Sequence, residues 1–361
     1  MSKTIIKDPY WLIHLLTGVA VSSINRGQDG RPKTMKLNDT NRGYSSSQNR
    51  KYDLNKALFE RCEIDIGLQT PLIGKYVEKR LIDGGISPKK AEEYAFKFIG
   101  TFVDIKKHTE KEDDKNTKKK KKKVDLLKTE TIKIQPSERQ HIEELIDKII
   151  EGHKPTDQEF FFLKENTGIR TALTGRMIAK LPQYDVEASL SSNFAFTVND
   201  IGSVQTDYFT ATDNLGLEGT KGSGHLDNFY FTQGVYYSFF VINSKLLTKN
   251  LQGNKELAIK TIRQIVEVLT TSSPSANKNR CADSQTWPAF VMIEKAPTAP
   301  RSLCQAFHTP IKGPAVMENA VKALLDMKSS FDSCYHEMDY RILNVLTKEG
   351  SLNELIKFID F

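Results

Sequence analysis

Cysteine is scarce: the 361 residues hold four, Cys62, Cys281, Cys304 and Cys334, and no two form a CxxC pair. That scatter argues against a disulfide framework and against a cysteine metal cluster, and it fits a reducing cytoplasm. Long hydrophobic runs are missing too. The longest, near Trp11–Val21, is short and interrupted by His14, so no bilayer-spanning segment and no membrane partner are expected. The opening MSKTIIKDPYW has neither the apolar centre nor the small-residue cleavage site of a signal peptide. Catalytic signatures are also absent. No GxxxxGKS/T, HExxH or GxSxG occurs, and the seven histidines, His225 and His308 among them, show no ligand spacing. The expectation is a protein that is not an enzyme and uses no metal and no cofactor. Asp29, in the loop RGQDGRP, is the one acid to test as a nuclease residue, although a solvated loop aspartate is its ordinary reading.

What is present is a globular composition, 39% apolar and 27% charged, in a chain long enough for one elaborated domain or two ordinary ones. The net charge is +7, but Lys106–Lys123 holds ten lysines and four acids, an excess of six. The rest of the chain is nearly neutral, so an argument for nucleic-acid binding must rest on particular positions. The tract Glu110–Lys123 cannot build a core and reads as a disordered surface loop. Its six adjacent lysines, Lys118–Lys123, offer loose contact with phosphates.

Hydrophobic periodicity divides the chain. Pro9–Val21 reads as a first strand, followed by a long polar loop, Ser22–Gln48. Asp53–Phe102 reads as helices with a break at Gly84–Pro88. A further helix is capped by Ser137, with Gln140 three residues on and Ile142, Leu145, Ile146, Ile149 and Ile150 as its apolar stripe. Ala188–Val198 alternates as a strand. Asp207–Thr212 and Asn228–Thr232 read as arms of a hairpin around LGLEGTKGSGHL. Gly234–Ile242 and Ala289–Glu294 read as strands, Glu256–Thr270 as an amphipathic helix, and Ala315–Lys328 and Leu352–Phe358 as helices. The fold class expected is α+β: a modified ferredoxin-like, RRM-like sheet from residues 1–51 and 167–361. A helical insertion, residues 52–166, contains the lysine-rich loop 106–123, and residues 200–232 form a projecting hairpin.

Several segments carry groups suited to a ribose-phosphate chain, each with a plainer reading beside it. Ser45–Lys51 precedes a helix. The Ser46 hydroxyl, the Gln48 amide and free backbone N–H groups suit phosphate oxygens, with Lys51 and Lys56 adding charge; a helix cap in a serine-rich loop reads as well. Arg26, at the end of the first strand, can grip a phosphate bidentately or form a surface salt bridge. Gly175 turns the chain beside Arg176 and Met177. A methionine can wedge between bases, and it can equally fill a core. Tyr208 and Phe209, beside Thr210, can stack on bases or pack on their own hairpin.

Taken in order, these segments resemble the Cas-seven family in its CasC form, from type I-E CRISPR Cascade. The family's INR/LNR stretch and RISSQSLKRA are similar to Ser23–Arg26 and Tyr44–Lys51. ALSGRM is matched by Ala172–Met177, WFTAVDDL by Tyr208–Leu215, and GSAHL by Gly222–Leu226. SGVFYRYANIN resembles Gln233–Asn243, and PGAKQR resembles Pro274–Arg280. Tyr208 stands where the family has tryptophan, Thr212 where it has an aliphatic residue, and the lysine tract has no family counterpart.

The resemblance implies a palm, helical fingers and a hairpin thumb, and a non-catalytic subunit that polymerises head to tail along a CRISPR RNA (crRNA). It implies that Arg26, Ser46, Gln48 and Lys51 hold the RNA backbone; Lys56, Arg176, Lys278 and Arg280 are further candidate RNA contacts. Met177, Phe209, Thr210 and Leu226 would kink the RNA, with Tyr208 a further candidate contact. The partners it implies are crRNA, target DNA, further copies of the chain, and the large, small, Cas-five-type and Cas-six-type subunits of Cascade. Two alternatives stay open: a metal-dependent target-RNA nuclease of the type III kind, using Asp29, and a generic RRM-like RNA-binding protein.

Overall fold

A computed structural model of the chain describes residues 9–62, 66–102, 129–163, 168–209, 227–274, 276 and 279–361. In chain order its elements are β1 (Tyr10–Ser22), β2 (Thr34–Leu37), β3 (Thr40–Ser45), α1 (Ser47–Cys62), β4 (Leu68–Thr70), α2 (Ile73–Asp83), α3 (Pro88–Ile99), β5 (Ile132–Ile134), α4 (Pro136–Ile150) and α5 (Ile169–Thr174). There follow β6 (Leu190–Ser192), β7 (Ala195–Thr197), β8 (Gln205–Phe209), β9 (Asp227–Asn243), α6 (Ser244–Asn250), α7 (Lys255–Thr271), β10 (Phe290–Ala296), α8 (Val316–Cys334), β11 (Asp339–Asn344) and α9 (Leu352–Phe358). The architecture is mixed α+β. Among the described residues no helix is long and apolar enough to cross a membrane. The lysine tract lies outside the described residues.

The chain divides into two compact units: Met1–Cys62 with Leu190–Ser244 and Ile259–Phe361, and Glu63–Ser189 with Lys245–Ala258. The first division falls at the end of α1, where the sequence reading placed it before Tyr52.

The first unit is organised by an antiparallel sheet of order β11-β10-β1-β9-β7-β3-β2, with β6 and β8 also paired to β9. β1 lies between β9 and β10. Its WLIHLL run is buried throughout, as a strand flanked on both edges and covered on both faces requires. β9 is one long strand where the sequence reading had two. Gly234 does not break it: this residue pairs with Val19 beside a register shift in β1. A Cβ at Gly234 would lie 2.9 Å from both Asn199 Oδ1 and Thr197 Cγ2, which requires glycine.

The polar stretch Ser22–Gln48 is not one loop, because β2 and β3 form a hairpin within it. Its turn residues Asn38 and Asp39 both take positive φ, 47° and 58°, as in a tight two-residue hairpin turn.

In the second unit the apolar faces of α2, α3 and α4 pack with Phe160, Phe162 and Ile178. α4 begins one residue before the expected cap. Gln135, not Ser137, is the cap, with Pro136 at the first helical position. The Glu138 carboxylate accepts the Gln135 N–H at 2.9 Å, completing a capping box. β4 and β5 form a two-stranded sheet that the sequence reading did not contain.

Candidate nucleic-acid interface

Arg26 is exposed in the loop after β1. That loop is a small closed turn: Arg26 bridges Pro32, Gly27 N–H donates to Arg31 O at 2.8 Å, and Arg31 N–H donates to Asp29 at 3.1 Å. Asn25 joins the turn to the next element. Its carbonyl accepts Lys33 N–H at 2.8 Å, and its side-chain oxygen accepts Ser46 N–H at 3.3 Å. The Arg26 turn and the start of α1 are therefore brought together, although 20 positions separate Arg26 from Ser46.

At the start of α1 the serine hydroxyls serve the local structure. Ser46 Oγ accepts Asn49 N–H at 3.3 Å, and Ser45 Oγ accepts the Asn49 amide at 3.0 Å. Ser46 keeps only 9% of its surface exposed, whereas Gln48 is exposed and Lys51 half-buried. Arg50, beside Lys51, packs its guanidinium over the Phe240 ring, 5.6 Å from the centroid, and burial lowers its pKa despite Asp53 nearby. Gln48, Tyr52 and Lys56 fall on one exposed face at helical spacing. Lys56 pairs loosely with Glu60 at 3.8 Å in solvent, a contact worth little. The surface offers an amide, two ammonium groups and a guanidinium.

Arg42 plays a different part. It is fully buried and donates to the carbonyls of Thr197 and Phe307 at 2.7 and 3.2 Å. Burial lowers its pKa, partly offset by Asp200. Arg42 braces the sheet, while Arg26 stays on the surface.

Strand β9 carries an arginine over each face near the hairpin. Arg31 lies over Tyr230 at 4.8 Å and Arg280 over Phe229 at 5.9 Å. Alternation along a strand puts these adjacent rings on opposite faces. Phe229 and Phe231, two apart, stack at 6.0 Å. β8 pairs Tyr208 with Asn228 and Phe209 with Asp227. Thr210, Leu226 and Lys278 lie outside the described residues. The sequence reading missed Arg31 and Asn25. The alternating aromatics Phe229–Phe231 were the available signal for Arg31, and nothing local marked Asn25.

The second unit holds Arg176 and Met177. α5 ends at Gly175, whose φ of +69° and whose Cβ position 2.8 Å from Val186 O require glycine. Lys133 Nζ pins this turn through Thr174 O at 2.9 Å and Thr174 Oγ1 at 2.7 Å. Beyond it the neighbours of Met177 are both buried, Arg176 at 7% and Ile178 at 4%, and Met177 is left 83% exposed. The sequence reading gave Arg176 to the RNA; the structure gives its guanidinium to Glu138, with both carboxylate oxygens at 2.8 Å. An arginine held this way against a fully buried carboxylate is a brace for the turn that presents Met177.

A family model described as CT1975-like protein matches residues 12–358, nearly the whole chain. The chain belongs to this family, one of the Cas-seven type. No curated protein matches it. Two solved structures are similar to this CT1975-like chain. A chain of a "CRISPR RNA-guided surveillance complex, pre-nicking" has a TM-score of 0.77 at 22% identity, over 97% of this chain and 100% of that one. A chain of a "CRISPR RNA-guided surveillance complex" has a TM-score of 0.71 at 18% identity, over 97% and 99%. Among the described residues of the CT1975-like chain, no group of three or more histidine, cysteine, aspartate or glutamate side chains is placed to hold a metal ion.

Proposed function

We propose that this chain is a non-catalytic, crRNA-binding backbone subunit of a CRISPR surveillance complex of type I-E, the CasC type. The observation that carries the proposal is the Asn25-linked pair of segments: an exposed arginine turn held against a helix start bearing Gln48, Lys51 and Lys56. These groups suit phosphate and ribose oxygens, contacts that carry no sequence information. A subunit that serves any guide needs that property, because sequence is then read by pairing between guide and target. The sheet of the first unit acts as an RRM-like palm, the second unit as fingers and the β8–β9 hairpin as a thumb. Copies stack head to tail in an open heterologous arrangement. The further partners are target DNA and the large, small, Cas-five-type and Cas-six-type subunits, in the cytoplasm. The family membership and the two similar surveillance-complex chains support this reading.

The engagement of Asp29 with Arg31 N–H supports a non-catalytic role, since the carboxylate serves the turn. Co-expression with the partner subunits and a repeat-spacer RNA tests the proposal. The expected product is a multimer with protected RNA that falls apart on ribonuclease treatment, and that cleaves no target RNA with Asp29 intact or as Asp29→Asn. An RNA-free monomer, or cleavage abolished by Asp29→Asn, contradicts it.

A further inference from the structure

The second unit contains a cavity of about 380 Å³ that the proposed backbone grip does not use. Its apolar wall is Phe160, Phe161 and Leu181, its two cations are Lys97 and Lys180, and its one acid is Asp157. Two lysines against one aspartate leave a net charge of +1 (2 − 1) on the lining.

Phe161 is held open by its neighbours. Phe160 and Phe162 are 4% and 1% exposed, whereas Phe161 is 43% exposed. With both flanking rings fixed in the core, the Phe161 ring cannot retract. Tyr184 braces it at 5.7 Å between centroids and an interplanar angle of 62°. An edge-on brace of this kind leaves ring surface for a flat partner.

The two lysines are not equivalent. Lys97 is neutralised by Asp157 at 2.7 Å and lies 5.2 Å from the Phe160 centroid. Lys180 donates to the Gly100 carbonyl at 2.6 Å, just beyond α3. An ammonium has three donors, so one bond to a neutral carbonyl leaves Lys180 its charge and spare donors for an anion.

A planar aromatic group carrying one anionic substituent matches an exposed phenyl ring beside such an ammonium. We infer that this cavity is a subsite for one unpaired nucleotide of a single-stranded nucleic acid, with its base on Phe161 and its phosphate at Lys180. The inference rests on the nucleic-acid-binding reading above. Lys180 and Leu181 belong to the short segment that presents Met177, which places the subsite beside the other exposed contact candidate of this unit.

The test is photo-crosslinking of the full chain to two short single strands, a 5-iodouridine RNA and a 5-iodo-deoxyuridine DNA, with the adducts mapped by peptide mass spectrometry. An adduct at Phe161 is expected, and the strand that gives it identifies the source of the nucleotide. Phe161→Leu should abolish that adduct and weaken binding of the reactive strand about tenfold, the scale of losing one base–aromatic stack, and Phe161→Trp should restore both. Lys180→Gln should weaken binding of the reactive strand about threefold at low salt. Because Phe161 is exposed, its variants should melt as wild type does. If no adduct maps to Phe161, or Phe161→Leu leaves strand affinity unchanged, while Lys51→Ala weakens binding, the subsite is wrong and the backbone grip stands. If neither strand binds the wild-type chain, alone or with the partner subunits, the functional reading and the subsite fall together.

Discussion

The side-chain oxygen of Asn25 accepts the backbone N–H of Ser46 at 3.3 Å, and this bond fixes the Arg26 turn against the start of α1. Neither residue needs to touch a ligand for the bond to matter. It sets the spacing between a guanidinium on one segment and an amide and ammonium on the other.

Asn25→Ala should therefore act at a distance. Losing one net hydrogen bond costs about 1 kcal/mol of stability. RNA affinity should fall about threefold to tenfold, the reach of a positioning effect near a multidentate phosphate site. Urea unfolding and filter binding measure the two effects separately. Unchanged affinity in a destabilised variant would show that the two segments bind independently or not at all.

Arg176 and Met177, adjacent in sequence, should separate cleanly by substitution. Arg176→Ala removes the cation paired with the buried Glu138 carboxylate and should cost about 3 kcal/mol, visible as a large drop in the unfolding midpoint. Met177→Ala removes an exposed side chain and should change stability by less than about 0.5 kcal/mol. Its effect should appear in RNA binding instead. A stable Arg176→Ala with impaired binding would reverse these roles.

Stability should fall on the acid side through a buried network in the first unit. Glu294 meets His14 at 3.0 Å and Arg301 at 2.9 Å, and Asp332 meets Arg301 and Lys328, both at 2.5 Å. Burial alone would raise both carboxyl pKa values. For Glu294 the hydrogen bonds and charges of His14 and Arg301 outweigh it, and for Asp332 those of Lys328 and Arg301 do, so both lie below their ordinary values. A carboxyl with a depressed folded pKa stabilises the fold above its unfolded pKa, and that stabilisation is lost as pH falls through the folded value. The contribution should hold near neutrality and decline below about pH 4.5, the ordinary value for glutamate. Asp332→Asn should lower stability at neutral pH and flatten the acid decline. Urea midpoints across that range check both effects, and parallel curves for wild type and variant would contradict them.

Legibility in the sequence followed the range of the interactions. β1 was readable because Pro9–Val21 alternates loosely and is rich in apolar β-formers, with His14 the interruption within Trp11–Leu16. β2 and β3 were not, since Thr34–Leu37 is only four residues long and Thr40–Ser45 is mostly polar, yet the Asn38–Asp39 turn was a hairpin signal in plain view. Gln233–Gly234 resembled a break, but the glycine makes room for Asn199 and Thr197, contributed by β7 and the residues after it. At the site, Arg26 and Ser46–Lys51 stood out by residue type. The role of Asn25 depends on a partner 21 positions away, and the fate of Arg176 on one 38 away. No local pattern encodes either.

The most direct test of sequence-blind backbone binding is the salt dependence of affinity for several unrelated guide RNAs, measured on the chain assembled with its partners. The account predicts matching affinities and a common linear slope of log affinity on log salt. Lys51→Ala should flatten that slope by about one unit for every RNA alike. Affinities that differ strongly among the RNAs, or a slope that Lys51→Ala leaves unchanged, would contradict it.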